Sequence, residues 1–198
     1  NERGKSIKNK KGELVCKKPF PSMPLKFWND KNNKKFEKAY FQRFKNIWHH
    51  GDYAEVKKSD GYIIYGRSDT TLNPGGVRLG TAEIYSEVEK FKQVKESLAV
   101  GQSWDNDIRI ILFIILNKGY DLNNDLVKKI KKQIRINASP RHVPEKIISV
   151  TDIPRTKNGK IVELAVKNTI EGNKIKNKEA LANPEILKEY VNIKELND

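Results

Sequence analysis

A chain of 198 residues, 37% hydrophobic and 9% aromatic, can bury a core as one ordinary domain or as a small domain with part of another, and it is too apolar for wholesale disorder. Its longest apolar run, residues 110–116 behind Arg109, falls well short of the roughly 20 residues a membrane-spanning helix needs. The net charge of +14 suits a nucleic acid, an anionic surface or a phosphorylated ligand, but 31 Lys against 8 Arg, beside 19 Asn and 21 Ile, reads as chain-wide drift rather than a phosphate-gripping face.

Residues 1–11 are charged, lack the apolar centre of a signal peptide and do not begin with Met, so the chain reads as a fragment. Residues 13–16 form a strand by composition, whereas three prolines within 19–24 forbid regular helix. Cys16 is the only cysteine, which excludes an intramolecular disulfide and a four-Cys zinc site and fits a reducing, cytoplasmic compartment. Segment 34–44 is open: Phe36, Tyr40 and Phe44 recur four apart as on a helix, yet Tyr40 and Phe41 also suit a strand. Ser59-Asp60-Gly61 is a turn leading into an extended arm at 62–65. Asn73-Pro74-Gly75-Gly76 is a second turn, across which 70–72 and 77–79 should pair.

Thr81 stands where an N-cap belongs, with Ile84, Val88 and Phe91 at helical spacing after it. Segments 97–101 and 108–116 are strands, the second so uniformly apolar that both its faces must be buried. Asn124 or Asp125 caps a helix with Leu126, Ile130 and Ile134 on one face and lysines on the others. A strand at 147–150, a polar loop at 154–160, a helix at 162–170 stopped by Gly172, and a short helix at 184–191 complete the order, with 171–183 polar enough for a tail or linker. From residue 70 onward this is a small α+β sandwich.

Three clusters carry chemistry. In Trp48-His49-His50-Gly51-Asp52 a carboxylate directly after a glycine can accept from a vicinal diol, although a plain turn has the same letters. Gly66-Arg67-Ser68-Asp69 and Arg78 place two guanidinium groups on either side of a turn, as for one phosphate or for a salt-bridged surface hairpin. Pro154-Arg155-Thr156-Lys157-Asn158-Gly159-Lys160 is not a P-loop, since the earlier glycine and the following hydroxyl are missing; it offers a lysine on a flexible arm. His49, His50 and His142 have no metal-ligand spacing, and no Gly-x-Ser-x-Gly elbow or Cys and His pair supports nucleophilic catalysis.

Taken in order, Gly51-Asp52, Gly66 to Asp69, the stretch Gly75-Gly76-Val77-Arg78-Leu79-Gly80-Thr81-Ala82-Glu83-Ile84, and Asn158-Gly159-Lys160 resemble the C-terminal signature of the adenylate-forming superfamily of acyl-CoA synthetases, adenylation domains and luciferases. Phe27-Trp28-Asn29-Asp30, Ser139-Pro140-Arg141-His142-Val143-Pro144, and Val162-Glu163 with Ala165-Val166-Lys167 after Lys160 are similar to the acetoacetyl-CoA synthetase branch.

The resemblance implies a C-terminal α/β sandwich domain that acts as a mobile lid at 69–170, preceded at 1–68 by the last β-rich part of an incomplete N-terminal domain and followed at 171–198 by an extension with a short helix. It implies acetoacetate, ATP and CoA as substrates, with Mg2+ held by ligands outside this chain. By motif position Asp52 would hold ribose hydroxyls, Arg67 would lie beside ribose and phosphate, and Arg78 would contact phosphate. Asp69 would be the hinge, Gly75 and Gly76 would line the CoA path, and Lys160 would stabilise charge during adenylation. Val77 stands where relatives often carry His or Tyr, and no role is assigned to it. The phosphate loop, adenine site and acyl pocket of full members have no counterpart here, so the fragment alone should be inactive and needs the absent N-terminal domain. Two other readings stand beside this one: a synthetase for another short acid such as acetate or propionate, and a non-catalytic basic module binding nucleic acid or protein through the helix at 124–137.

Overall fold

The computed structural model describes residues 1–175 and 177–197 and divides into two compact units, Asn1–Asp69 and Thr70–Asp198. The first is built on an antiparallel sheet in the order β1 (Lys11–Cys16), β2 (Trp48–Val56), β3 (Tyr62–Arg67). The aromatic spacing resolves as helix: α1 (Lys34–Tyr40) turns Phe36 and Tyr40 onto Trp48, with the Tyr40 ring stacked at 3.7 Å. Asp30 fixes where it starts, its two carboxylate oxygens accepting from the backbone N–H of Lys35 at 2.9 Å and of Phe36 at 2.8 Å. Residues 48–52 are not a turn: they open β2, which bends where its register shifts against β1 between Glu13 and Val15 and against β3 between Tyr53 and Ala54.

The second unit holds a three-stranded sheet, β4 (Val94–Trp104), β5 (Asp107–Leu116) and β6 (Lys146–Ser149), with β5 central, antiparallel to β4 and parallel to β6. Asp105 and Asn106, both with positive φ, make the tight turn joining β4 to β5. Since side chains alternate along a strand, β5 serves two cores. Ile110, Leu112 and Ile114 pack with Ile84 and Val88 of α2 (Thr81–Val88) and with Leu126, Ile130 and Ile134 of α3 (Asn124–Asn137). Ile111, Phe113 and Ile115 pack on the other face with Ile153, Tyr190, Leu196 and Val166 of α4 (Glu163–Ile170). Each fully buried Ile, Leu or Phe contributes about 1.5–3 kcal/mol relative to exposure. The predicted α+β sandwich is therefore present, with its apolar central strand covered on both sides.

Local details differ from expectation for identifiable reasons. The N-cap of α2 is Gly80, whose N–H donates to Glu83 at 3.4 Å, so Thr81 is already helical and buried; Phe91 lies beyond the helix end and packs on the first core. For α3 the cap is Asn123, whose side-chain oxygen accepts from Leu126 N–H at 2.9 Å, one residue before the predicted pair. Strand β4 runs longer than 97–101 because its whole length pairs with β5. The arms 70–72 and 77–79 reduce to a single bridge, Leu72 with Leu79, around a short 3-10 turn at Pro74–Gly76. The last helix is 3-10 rather than α, Pro184–Tyr190, and is drawn onto the sheet by the Tyr190 hydroxyl donating to Asp152 C=O at 2.8 Å. Before it, Leu181 is buried and Ala182 N–H donates to Arg155 C=O at 2.8 Å. Among the described residues no helix is long and apolar enough to cross a membrane.

Candidate active site

In the first unit the register of β2 and β3 places Asp52 directly opposite Arg67. An Arg67 terminal nitrogen lies 3.6 Å from Asp52 Oδ1 and its Nε 3.4 Å from Asp69 Oδ1, while Nη1 donates to His50 C=O at 3.4 Å. His50 Nδ1 sits 2.5 Å from Asp52 Oδ2. Gly51 has φ +84, which disfavours a side chain, and a Cβ there would stand 2.9 Å from an Arg67 guanidinium nitrogen and push that group aside. His50, Gly51, Arg67 and Asp69, with Tyr40, Arg43 and Trp48, line an open cleft of about 620 Å3, and Asp52 adjoins it through its contacts with His50 and Arg67.

A network that the sequence did not suggest supports one wall of this cleft. Glu13, buried on β1, takes Arg43 at 3.0 Å on Oε1 and both His49 Nε2 at 3.0 Å and the Ser68 hydroxyl on Oε2. Burial pushes its carboxyl up, but the hydrogen bonds from Ser68 and His49 and the charge of Arg43 outweigh it and hold the group below its ordinary range. These partners lie 30 to 55 residues from Glu13 along the chain; a glutamate leading directly into Leu14-Val15-Cys16 was the only local signal.

In the second unit the expected residues fall on two separate loops. Gly75 and Gly76 both take positive φ, and Gly75 N–H donates to both oxygens of Asp107 at 2.9 Å. A Cβ on Gly75 would meet an Arg141 guanidinium nitrogen at 3.3 Å, whereas one on Gly76 would meet nothing within 4 Å. Arg78 is exposed on the segment leaving this loop, just before the Leu79 bridge.

The 154–160 segment is not the loose arm expected. Thr156 N–H donates to Lys160 C=O at 2.8 Å, Gly159 N–H returns to Thr156 C=O at 2.8 Å, and Lys160 N–H reaches the Thr156 hydroxyl at 3.1 Å. Arg155 closes the turn by donating to Gly159 C=O at 3.2 Å and pairing with Glu96. What remains free to swing is the exposed Lys160 side chain, whose ammonium has no partner among the described residues.

The two loops are tethered to opposite ends of one hairpin. Glu96 lies near the start of β4 and pairs across with Ile115, whereas Asp107 begins β5 beside Trp104 at the hairpin tip. The eight residues from Glu96 to Trp104, at about 3.4 Å each, put the tether points about 27 Å apart. Arg67 and Arg78, read from spacing as converging on one phosphate or as a salt-bridged surface hairpin, fall in different units, and Arg67 is engaged by Asp52 and Asp69. Among the described residues no three His, Cys, Asp or Glu side chains come together as a metal site.

No protein-family model matches the chain. It is 56% identical over 196 residues to the acetoacetyl-coenzyme A synthetase of Rhizobium meliloti, covering 99% of this chain and 30% of that protein. It is 48% identical over 198 residues to the acetoacetyl-CoA synthetase of Xenopus tropicalis, with the same coverage of each. Among solved structures it is similar along 100% of its length to 30% of the acetoacetyl-CoA synthetase from Streptomyces lividans, with a TM-score of 0.91 at 35% identity. The anthranilate CoA ligase AuaEII, 24% identical with a TM-score of 0.71 over 81% of this chain, shares the fold. The chain thus spans about 30% of the length of the curated relatives it matches.

Proposed function

From a chain that corresponds along its whole length to the C-terminal 30% of the acetoacetyl-CoA synthetases, we propose a protein that joins acetoacetate to CoA at the expense of ATP, releasing AMP and diphosphate. In the first step an acetoacetate carboxylate oxygen attacks the α-phosphorus and the bond to the leaving diphosphate breaks. In the second the CoA sulfur, having lost its proton, attacks the acyl carbonyl carbon, and AMP departs with its oxygen.

This chain contributes groups to both steps. Asp52 accepts hydrogen bonds from the ribose hydroxyls of ATP and then of the acyl-adenylate, with Arg67 beside ribose and phosphate. Arg78 meets phosphate charge through a forked donor. Lys160 brings a compact cation to the point where carboxylate, α-phosphate and leaving diphosphate concentrate negative charge, which stabilises the transition state without proton transfer. Gly75 and Gly76 leave room for the pantetheine arm and its thiol. Asp69, at the boundary of the two units, is the hinge, so that 69–170 serves as the moving lid and 1–68 as the end of the N-terminal domain.

The observation that carries this reading is the separation of about 27 Å between the tethers of the Lys160 turn and the Gly75 loop. Two loops so far apart on one rigid hairpin do not serve a single reacting centre at the same moment, whereas they suit two successive steps. Among the described residues no three His, Cys, Asp or Glu side chains come together to hold a divalent cation, and Mg2+ would take its ligands from the N-terminal domain; no step here runs through it. We place the reaction in the cytoplasm, in keeping with a lone cysteine and no membrane-spanning helix among the described residues.

The test uses the full-length protein that carries this chain, with ATP, CoA and a panel of short acids. Preference for acetoacetate supports the proposal, and preference for acetate or propionate replaces the acid while keeping the two steps. Lys160→Ala should abolish acid-dependent diphosphate release yet spare thioester formation from preformed acyl-adenylate. Equal loss of both steps would remove the role given to Lys160.

A further inference from the structure

The ribose-facing carboxylate is gripped from both sides. Asp52 Oδ1 faces the Arg67 guanidinium at 3.6 Å, and Oδ2 takes His50 Nδ1 at 2.5 Å. An ionised carboxylate only accepts hydrogen bonds, so the Nδ1 of His50 carries the proton in this contact. The His50 hydrogen bond occupies one lone pair of Oδ2, and the Arg67 guanidinium stands beside Oδ1 as an ion-pair partner, so the carboxylate plane is held while each oxygen keeps a lone pair for a further donor. Two adjacent hydroxyl groups can then be met together by the two oxygens of one plane. Gly51 makes the arrangement possible: its positive φ sets the backbone between His50 and Asp52, and the missing Cβ leaves the space that Arg67 occupies.

We propose that His50 is a positioning residue for nucleotide binding, acting through its Nδ1 hydrogen bond to hold Asp52 in the one orientation that receives both ribose hydroxyls. The proposal rests on the reading of Asp52 as the ribose ligand. Charged and titratable groups near His50 are Asp52 on its own strand and Arg67 from β3, with Asp69 beyond Arg67. His49, pointing from the adjacent position into the Glu13 and Arg43 network, has its own partners and does not substitute for it. Arg67 alone is a weaker guide, since it is shared with Asp69 and His50 C=O.

Side-chain geometry supplies a specific test in the full-length protein. Asparagine places its amide nitrogen close to the position of Nδ1, whereas glutamine places it nearer Nε2. His50→Asn should therefore stay within about two-fold of the parent in kcat/KM for ATP. His50→Gln and His50→Ala should each lose about five- to thirty-fold, the range one charge-assisted hydrogen bond at a half-exposed site supports, with the loss in KM and not in kcat.

The decisive arm uses 2′-deoxy-ATP and 3′-deoxy-ATP. If His50 acts through the carboxylate and the ribose, the parent discriminates strongly against these analogues, and the His50→Ala penalty shrinks towards nothing when they replace ATP. An equal penalty with ATP and the deoxy analogues, or full activity of His50→Gln, overturns the role of His50. If instead the parent and Asp52→Ala treat ATP and the analogues alike, the reading of Asp52 falls, and the proposal falls with it in a distinguishable way.

Discussion

Tyr190 tests whether the C-terminal stretch is part of the second unit's core. Its side chain is fully buried, its ring meets Phe113 of β5 edge-on at 4.9 Å between centroids, and its hydroxyl donates to Asp152 C=O at 2.8 Å. Two substitutions separate these contributions. Tyr190→Phe keeps the ring and leaves one buried carbonyl without its donor, which costs about 1 kcal/mol. Tyr190→Ala also empties the volume of the ring and removes the aromatic pair, which costs about 4 kcal/mol by analogy with other buried aromatic truncations. For a domain stable by about 5–15 kcal/mol, the second loss consumes a large share of the whole. Urea unfolding of the chain followed by circular dichroism, fitted as two transitions for the two units, reads the difference. A Tyr190→Ala transition within about 1 kcal/mol of the parent would refute the reasoning, because it would mean that Pro184–Tyr190 lies on the sheet without being held by it.

Three further outcomes follow from contacts described above. Glu13 has a carboxyl held below its ordinary range in the folded state, so the stability it contributes is present above its unfolded value of 4.5 and is lost as pH falls below that. Melting temperatures of Glu13→Gln, measured across this acidic window, should accordingly vary less with pH than those of the parent; a parallel curve would count against the network. Gly51→Ala should cost about 1–2 kcal/mol for a left-handed conformation and displace Arg67 from Asp52, read as lower stability together with a raised KM for ATP in the full-length protein. Asp107→Ala, which releases Gly75 N–H, should slow thioester formation about ten-fold while leaving adenylation intact, and equal slowing of both half-reactions would break the link between that loop and the second step.

The parts of the fold that rest on periodicity were legible in the letters. A strand at 108–116, apolar apart from Arg109, demanded cover on both faces, and Leu126, Ile130 and Ile134 marked one face of a helix; both are where they were expected. Positions set by a single hydrogen bond were less so. The caps fell on Asn123 and Gly80, one residue from the predicted ones, because several adjacent residues can cap and the choice depends on which N–H is left open. The His-Gly-Asp segment read more readily as a plain turn than as a binding carboxylate, since the glycine that suggests one is here a bend within a strand whose pairing partner lies elsewhere. The candidate residues were found by motif order, whereas the groups that hold them were not. Asp107 under Gly75, Glu96 beside Arg155, and Glu13 with Arg43, His49 and Ser68 are all tertiary pairings without a local pattern.

Strand β5 is paired on both edges and covered on both faces. Its central amide protons can meet solvent deuterium only when β4, β6 and both helical layers let go together, so they report the opening free energy of the whole second unit. The loops carrying Gly75 and Lys160 hang from the two ends of the same hairpin and can exchange quickly without disturbing that reading. The chain thus pairs a slow interior clock with fast peripheral ones, and damage to a loop is separable from damage to the body that carries it.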